Sequence, residues 1–277
     1  MVDKKRKDAP IGVFDSGVGG LTVAREIMRQ MPGESIVYFG DTARVPYGSK
    51  SGDTILRYSR QIAAFLLSHK VKAIVIACNT ASAYAEAVLR QECDVPVIGV
   101  IEPGAVTAAA ATKNDKVGVI ATQATINSKI YTRSLHAQRP QIKVYDKACP
   151  LLCPLVEEGW LYDSVTVEVV DRYTSELVRS GIDTLVLGCT HYPLLAHTIQ
   201  KVVGPDIRLV NPAYETAREL SRMLAAEDLL REEGNAVHKF FVSDGAEQFR
   251  RFANSILPCE VEETKDINIE AFRGTKL

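Results

Sequence analysis

Ala73-Ile74-Val75-Ile76-Ala77-Cys78-Asn79-Thr80 and Thr184-Leu185-Val186-Leu187-Gly188-Cys189-Thr190-His191 are two versions of one pattern. Each is a short apolar run, a cysteine, and polar residues that open a helix-like stretch. The cysteines are 111 residues apart. Such short Val/Ile/Leu runs read as strands buried on both faces. Each thiol therefore falls where a strand ends and a helix begins. In open parallel α/β sheets, ligand sites form along that edge. The same thiol placed there twice points to one cleft with two sulfurs facing each other.

The rest of the chain alternates in the same way. Strands are expected over residues 11–14, 35–39, 73–77, 96–100, 117–121, 143–145, 184–187, 208–210 and 238–242. Helices are expected over 21–31, 53–69, 81–91, 104–112, 165–179, 194–203, 215–232 and 246–255. Short apolar strands alternating with helical patterns imply parallel βαβ units. A fainter repeat accompanies the cysteines. Ile11-Gly-Val-Phe-Asp-Ser-Gly17 resembles Val117-Gly-Val-Ile-Ala-Thr-Gln123, and aligning Gly12 with Gly118 gives an offset of 106. The expected fold is two similar parallel-sheet α/β domains related by a pseudo-two-fold, with the active site in the cleft between them. Residues 11–100 plus about 211–277 would form the first domain, and 101–210 the second. Residues 1–10 are expected to be a disordered tail.

Composition narrows the function classes. At 277 residues with 46% apolar and 24% charged residues, the chain reads as an ordinary globular protein of about two domains. A net charge of −1 gives no global field for nucleic acid or acidic membranes. The one basic run, Lys4-Lys5-Arg6-Lys7, reads as a solubilising tail rather than a localisation signal. No apolar stretch approaches the about 20 residues that span a bilayer, and no apolar region follows the basic run as in a secretory signal. Six cysteines in a chain of this length are expected to be reduced thiols in the cytoplasm.

Four loops carry the chemistry. Asp15-Ser16-Gly17-Val18-Gly19-Gly20-Leu21-Thr22 follows a strand and opens a helix, where free N–H groups favour an anion. It half-matches a dinucleotide fingerprint, but Thr22 stands at the third glycine position, and Asp15 opens the loop where pyrophosphate would approach. The loop Asp41 to Gly48, with Pro46-Tyr47-Gly48, reaches the same edge. The other two are the cysteine loops, where the helix dipole is expected to lower each thiol's pKa from about 8.5. Cys93, Cys149, Cys153 and Cys259 read as inert buried cysteines. Cys149-x-x-x-Cys153 lacks a second ligand pair, so no metal is expected. His191, two residues after Cys189, is placed to tune that thiol or relay its proton.

Asp-Ser-Gly-Val-Gly-Gly-Leu-Thr (15–22), Pro-Tyr-Gly (46–48), Ala-Cys-Asn-Thr (77–80) and Gly-Cys-Thr-His-Tyr-Pro (188–193) occur in this order at strand ends. Together they closely resemble the glutamate racemases, cofactor-independent bacterial enzymes that make D-glutamate for peptidoglycan. The likeness runs from about residue 11 to about residue 245. The wider family includes aspartate and hydantoin racemases, and the 188–193 string and the Asp-Ser-Gly loop match the glutamate branch. The resemblance implies that Cys78 and Cys189 are the two acid/base residues, with Cys78 serving D-glutamate and Cys189 L-glutamate. It places Asp15, Ser16, Tyr47, Gly48, Asn79, Thr80, Thr190 and His191 on substrate-contact positions. Asp15, Glu157 and His191 match its auxiliary acidic and imidazole groups. It also implies a homodimer, a small-molecule substrate and no cofactor. The basic tail is outside the family pattern.

Two thiols suit racemisation, because a single base tends to return the Cα proton to the face it left. Without a cofactor, the carbanionic transition state needs fixed hydrogen bonds, excluded water and prepositioned bases. Asp15 can face the substrate ammonium or partner Cys78, and the sequence leaves both roles open. Two other classes compete. An amino-acid-binding module would tolerate serine at both cysteines. A thiol redox protein usually places its cysteines close in sequence, as in Cys-x-x-Cys.

Overall fold

The computed structural model describes residues 4–231 and 233–277. Residues 1–3 of the expected tail, and residue 232 at the end of the expected helix 215–232, lie outside the described residues. Among the described residues, ten strands form two sheets, and every pairing is parallel. The first sheet contains β1 (Ile11–Asp15), β2 (Ile36–Gly40), β3 (Ala73–Ile76) and β4 (Val97–Gly99). The second contains β5 (Lys116–Ala121), β6 (Lys143–Ala148), β7 (Thr184–Gly188) and β8 (Arg208–Val210). β9 (His238–Val242) and β10 (Thr264–Asp266) return to the first sheet, β9 pairing with β2 and β10 with β9. The sheet orders are β10-β9-β2-β1-β3-β4 and β6-β5-β7-β8.

Both halves thus contain the order second-first-third-fourth. The registers repeat as well. Ile11 pairs with Ala73 in the first sheet, and Val117 pairs with Thr184 in the second. These are the partners expected if Gly12 matches Gly118 and Cys78 matches Cys189. β3 and β7 are therefore equivalent third strands, and each delivers a cysteine at its C-terminal end.

Alternation along the strands feeds two cores per sheet. In the first sheet Ile11, Val13 and Val75 face Leu21, Ile27 and Leu220. Phe14, Ile74 and Ile76 face Ile55, Ile62, Phe65 and Leu66 on the other side. In the second sheet Ile120, Leu185 and Leu187 pack on Val170, Leu195 and Ile199. Val117, Val119 and Val186 pack on Ile101, Ala105 and Leu135. The helix Pro212–Ala226 is started by local chemistry: Asn211 Oδ1 accepts from the Ala213 N–H at 3.0 Å and Pro212 occupies the first turn. Its apolar face joins the core of the first sheet.

The described part of the tail differs from the expected disorder. Lys4–Lys7 forms one helical turn. Lys7 Nζ reaches Asp228 at 2.8 Å, and the fully buried Lys72 ammonium donates to the Lys7 carbonyl at 2.7 Å. A buried cation that needs carbonyl acceptors ties this segment down.

Candidate active site

A cavity of about 660 Å³ lies across the C-terminal ends of both sheets. Its wall is built from six strand ends. The loop after β1 contributes Ser16 and Gly17; the loop after β2 contributes Tyr47, Gly48 and Ser49. Cys78, Asn79 and Thr80 follow β3, and Thr122 and Gln123 follow β5. Cys153 and Glu157 come from the helix Leu152–Glu157 after β6, and Cys189, Thr190 and His191 follow β7. The two thiols thus share one cavity.

Cys78 caps the helix Asn79–Glu92, and its thiol donates to Ser16 Oγ at 3.6 Å. Its pKa is pushed up to about 12, chiefly by burial, then by the Asp15 carboxylate. The Ala81 N–H and Ser16 act in the opposite direction and lose. This runs against the expectation that the helix start lowers the Cys78 pKa: burial and the Asp15 carboxylate outweigh the Ala81 N–H and Ser16. Asp15 itself is fully buried and does not line the cavity. Its Oδ2 accepts from the Gly17 N–H at 2.9 Å, while Oδ1 is buried without a partner among the described residues. Asp15 thus sits behind the cavity wall, where its charge acts on Cys78.

Cys189 has different neighbours. Its sulfur lies 3.5 Å from Cys153 Sγ and 3.7 Å from His191 Nδ1. The Cys153 hydrogen bond and burial raise its pKa; His191 pulls it down and is outweighed. His191 Nε2 meets Glu157 Oε1 at 2.9 Å. Burial opposes the imidazolium, but the hydrogen bonds to Cys189 and Glu157 prevail and raise His191 to about 10. Cys189 and His191 thus form a coupled pair, each favouring the charged form of the other, with Glu157 on the far side of the imidazole. Cys153, expected to be inert, is a cavity residue touching a central thiol. Its partner is 36 residues away, beyond any local ligand spacing.

Hydrogen bonds and one close contact join the halves around these loops. Thr22, buried, donates from Oγ1 to the Thr190 carbonyl at 2.9 Å. Thr80 Oγ1 contacts Thr122 Oγ1 at 2.9 Å and Thr125 Oγ1 at 3.2 Å. Asn79 Oδ1 accepts from the Tyr131 hydroxyl at 2.6 Å. Gly48 lies against Thr122, where an added Cβ would come within 2.9 Å of the Thr122 Cβ. Tyr47 lines the cavity, but its phenol is turned to Asp41, to which it donates.

All the expected site residues except Asp15 line the cavity. Thr122 and Gln123 were missed. The repeat contained the signal, since aligning Gly12 with Gly118 sets Ser16 opposite Thr122 and Gly17 opposite Gln123.

Residues 11–220 match the model of the Asp/Glu/hydantoin racemase family. A glutamate racemase from Geobacter metallireducens is 48% identical over 264 residues, covering 94% of this chain and 97% of that protein. The crystal structure of a glutamate racemase isoform from Bacillus anthracis superposes with a TM-score of 0.91 at 42% identity, covering 95% of this chain and 98% of the other. One from Francisella tularensis, in complex with D-glutamate, gives 0.89 at 38% identity, covering 96% and 99%. The repeated strand order, the thiols at equivalent strand ends and these likenesses agree: the chain belongs to the Asp/Glu/hydantoin racemase family.

Proposed function

We propose that this chain interconverts L- and D-glutamate without pyridoxal phosphate or a catalytic metal, supplying D-glutamate for peptidoglycan. The observation that carries this reading is the pair of thiols from equivalent strand ends in one cavity. The likeness to glutamate racemases over nearly the whole chain supports glutamate as the substrate.

The proposed cycle needs one sulfur as thiolate and the other as thiol. The thiolate takes the Cα proton from one face: an S–H bond forms, the C–H bond breaks, and the electron pair stays on Cα, delocalised into the carboxylate. The opposite thiol then gives its proton to the other face and becomes the next thiolate. Burial raises the Cys78 pKa, and the Cys153 hydrogen bond together with burial raises that of Cys189, so whichever sulfur is the thiolate depends on local partners that favour its charge. His191, charged and held by Glu157, stabilises a thiolate at Cys189. Ser16 and the Ala81 N–H do so at Cys78. The N–H groups that open the helix Asn79–Glu92, with the Thr80, Thr122 and Thr190 hydroxyls, are placed to hold carboxylate. Residues 11–100 with about 211–277, and 101–210, act in this reading as domains that close on substrate. Following the resemblance, the protein works as a cytoplasmic homodimer.

Purified, cofactor-free protein with L-glutamate in D₂O tests the reading. Optical rotation should decay to zero while the Cα–H signal disappears. Unchanged rotation with bound glutamate would instead mark a binding module.

A further inference from the structure

Cys153 Sγ, Cys189 Sγ and a His191 nitrogen lie within 4.8 Å of one another. We propose that they form an inhibitory site for a borderline-soft divalent cation of the zinc class, with Glu157 fixing the imidazole. The inhibition rests on the role proposed above for Cys189; the binding does not.

The distances fit tetrahedral coordination. Zinc–sulfur bonds of about 2.3 Å and zinc–nitrogen bonds of about 2.0–2.1 Å set ligand edges at about 3.8 Å for S–S and about 3.6 Å for S–N. The observed edges are 3.5 Å for Cys153–Cys189 and 3.7 Å for Cys189–His191. The third edge closes with a side-chain shift of at most about 1.2 Å from the 4.8 Å limit. Two sulfurs and one imidazole select zinc-like ions over magnesium or calcium.

The surroundings are also those of a metal site. A metal-bound histidine normally donates its other N–H to a carboxylate, which sets the tautomer. Here Nδ1 faces the sulfurs, and Nε2 lies 2.9 Å from Glu157 Oε1. Cys153 and Glu157 stand four residues apart on the helix Leu152–Glu157, so one helical face supplies both a ligand and the group that orients another. All three ligands line the cavity. The fourth position therefore opens toward the space proposed for substrate, as in sites with three protein ligands and one exchangeable one.

On binding, both thiols lose their protons to solvent, a proton on His191 Nδ1 leaves to solvent as well, and Nε2 keeps the proton that faces Glu157. No electron moves. The Cys189 lone pair that would take the Cα proton is then committed to the metal. Zinc should stop turnover, and a chelator should restore it.

Cobalt(II) and zinc titrations of the full chain test this. Wild type should take one cobalt per chain with sulfur-to-cobalt charge-transfer absorption, and zinc should displace it. Bound zinc should protect both Cys153 and Cys189 from iodoacetamide, a readout that needs no variant. Cys153→Ala should lower the zinc affinity by more than the about 10-fold expected for Glu157→Gln. Absence of stoichiometric cobalt absorption, or unchanged affinity in folded Cys153→Ala, would overturn the site. Binding with full protection but no loss of glutamate racemisation would leave the site standing and refute the inhibition. Binding to a protein that does not racemise glutamate at all would refute the proposed function instead.

Discussion

Gly19 and His191 touch across the two halves: a Cβ on Gly19 would fall 2.5 Å from His191 Nδ1 and 2.4 Å from Thr190 Oγ1. The glycine loop of one sheet is therefore the seat of the cysteine loop of the other. Thr22, beside it, fastens the same loop through the Thr190 carbonyl. The glycines that half-matched a dinucleotide fingerprint serve close packing, and Thr22, at the third position, uses its hydroxyl to reach the Thr190 carbonyl.

Gly19→Ala should displace His191 and Thr190 without unfolding either core. Misplacement of a catalytic group by about 1 Å costs about 100-fold in rate. Turnover should fall by about that factor with an intact circular dichroism spectrum. Wild-type turnover would show that the loops adjust freely.

Asp15→Asn removes a buried charge that raises the Cys78 pKa. The pH midpoint for Cys78 alkylation should move down but stay above that of a solvated thiol, because burial remains. Because Asp15 acts on the thiol and not on bound substrate, the change should appear in kcat while KM holds. An effect confined to KM would return Asp15 to the substrate ammonium.

Lys72 and Glu34 form a fully buried ion pair at 2.6 Å, and Lys72 also donates to the carbonyls of Lys7 and Leu229. Removing one partner strands the other charge, at a cost of about 3–5 kcal/mol. Lys72→Met should show that loss in urea denaturation. Lys72→Met with Glu34→Leu should recover most of it. A loss below about 1 kcal/mol for the single change would mean that Glu34 is neutral in the folded protein.

The central strands and both thiols were legible because β1, β3 and β7 are buried on both faces and leave an unbroken apolar record. The edges were not. β6 runs to Ala148 with half-exposed residues, and β10 is Thr-Lys-Asp, which no hydrophobic pattern marks. The helices Gln123–Ser128 and Ile130–Gln138 were missed because Lys129, at φ 54°, breaks a single polar stretch into two short pieces. Tyr47 was legible as a site position, though the direction of its phenol depends on Asp41, which ends another strand. Cys153 joins the site only through the fold, which brings it to Cys189. The acidity of Cys78 was misjudged because the sequence displays the helix start but not the burial that overrides it.

The two-thiol account is tested most directly by proton NMR in D₂O, following Cα–H exchange of each glutamate enantiomer separately in Cys78→Ser and Cys189→Ser. A serine hydroxyl is too weakly acidic to replace either base, so neither variant should racemise. With Cys189 lost, residual exchange should favour D-glutamate; with Cys78 lost, L-glutamate. Racemisation near the wild-type rate in either variant, or exchange of the same enantiomer in both, would contradict the assignment of one thiol to each face.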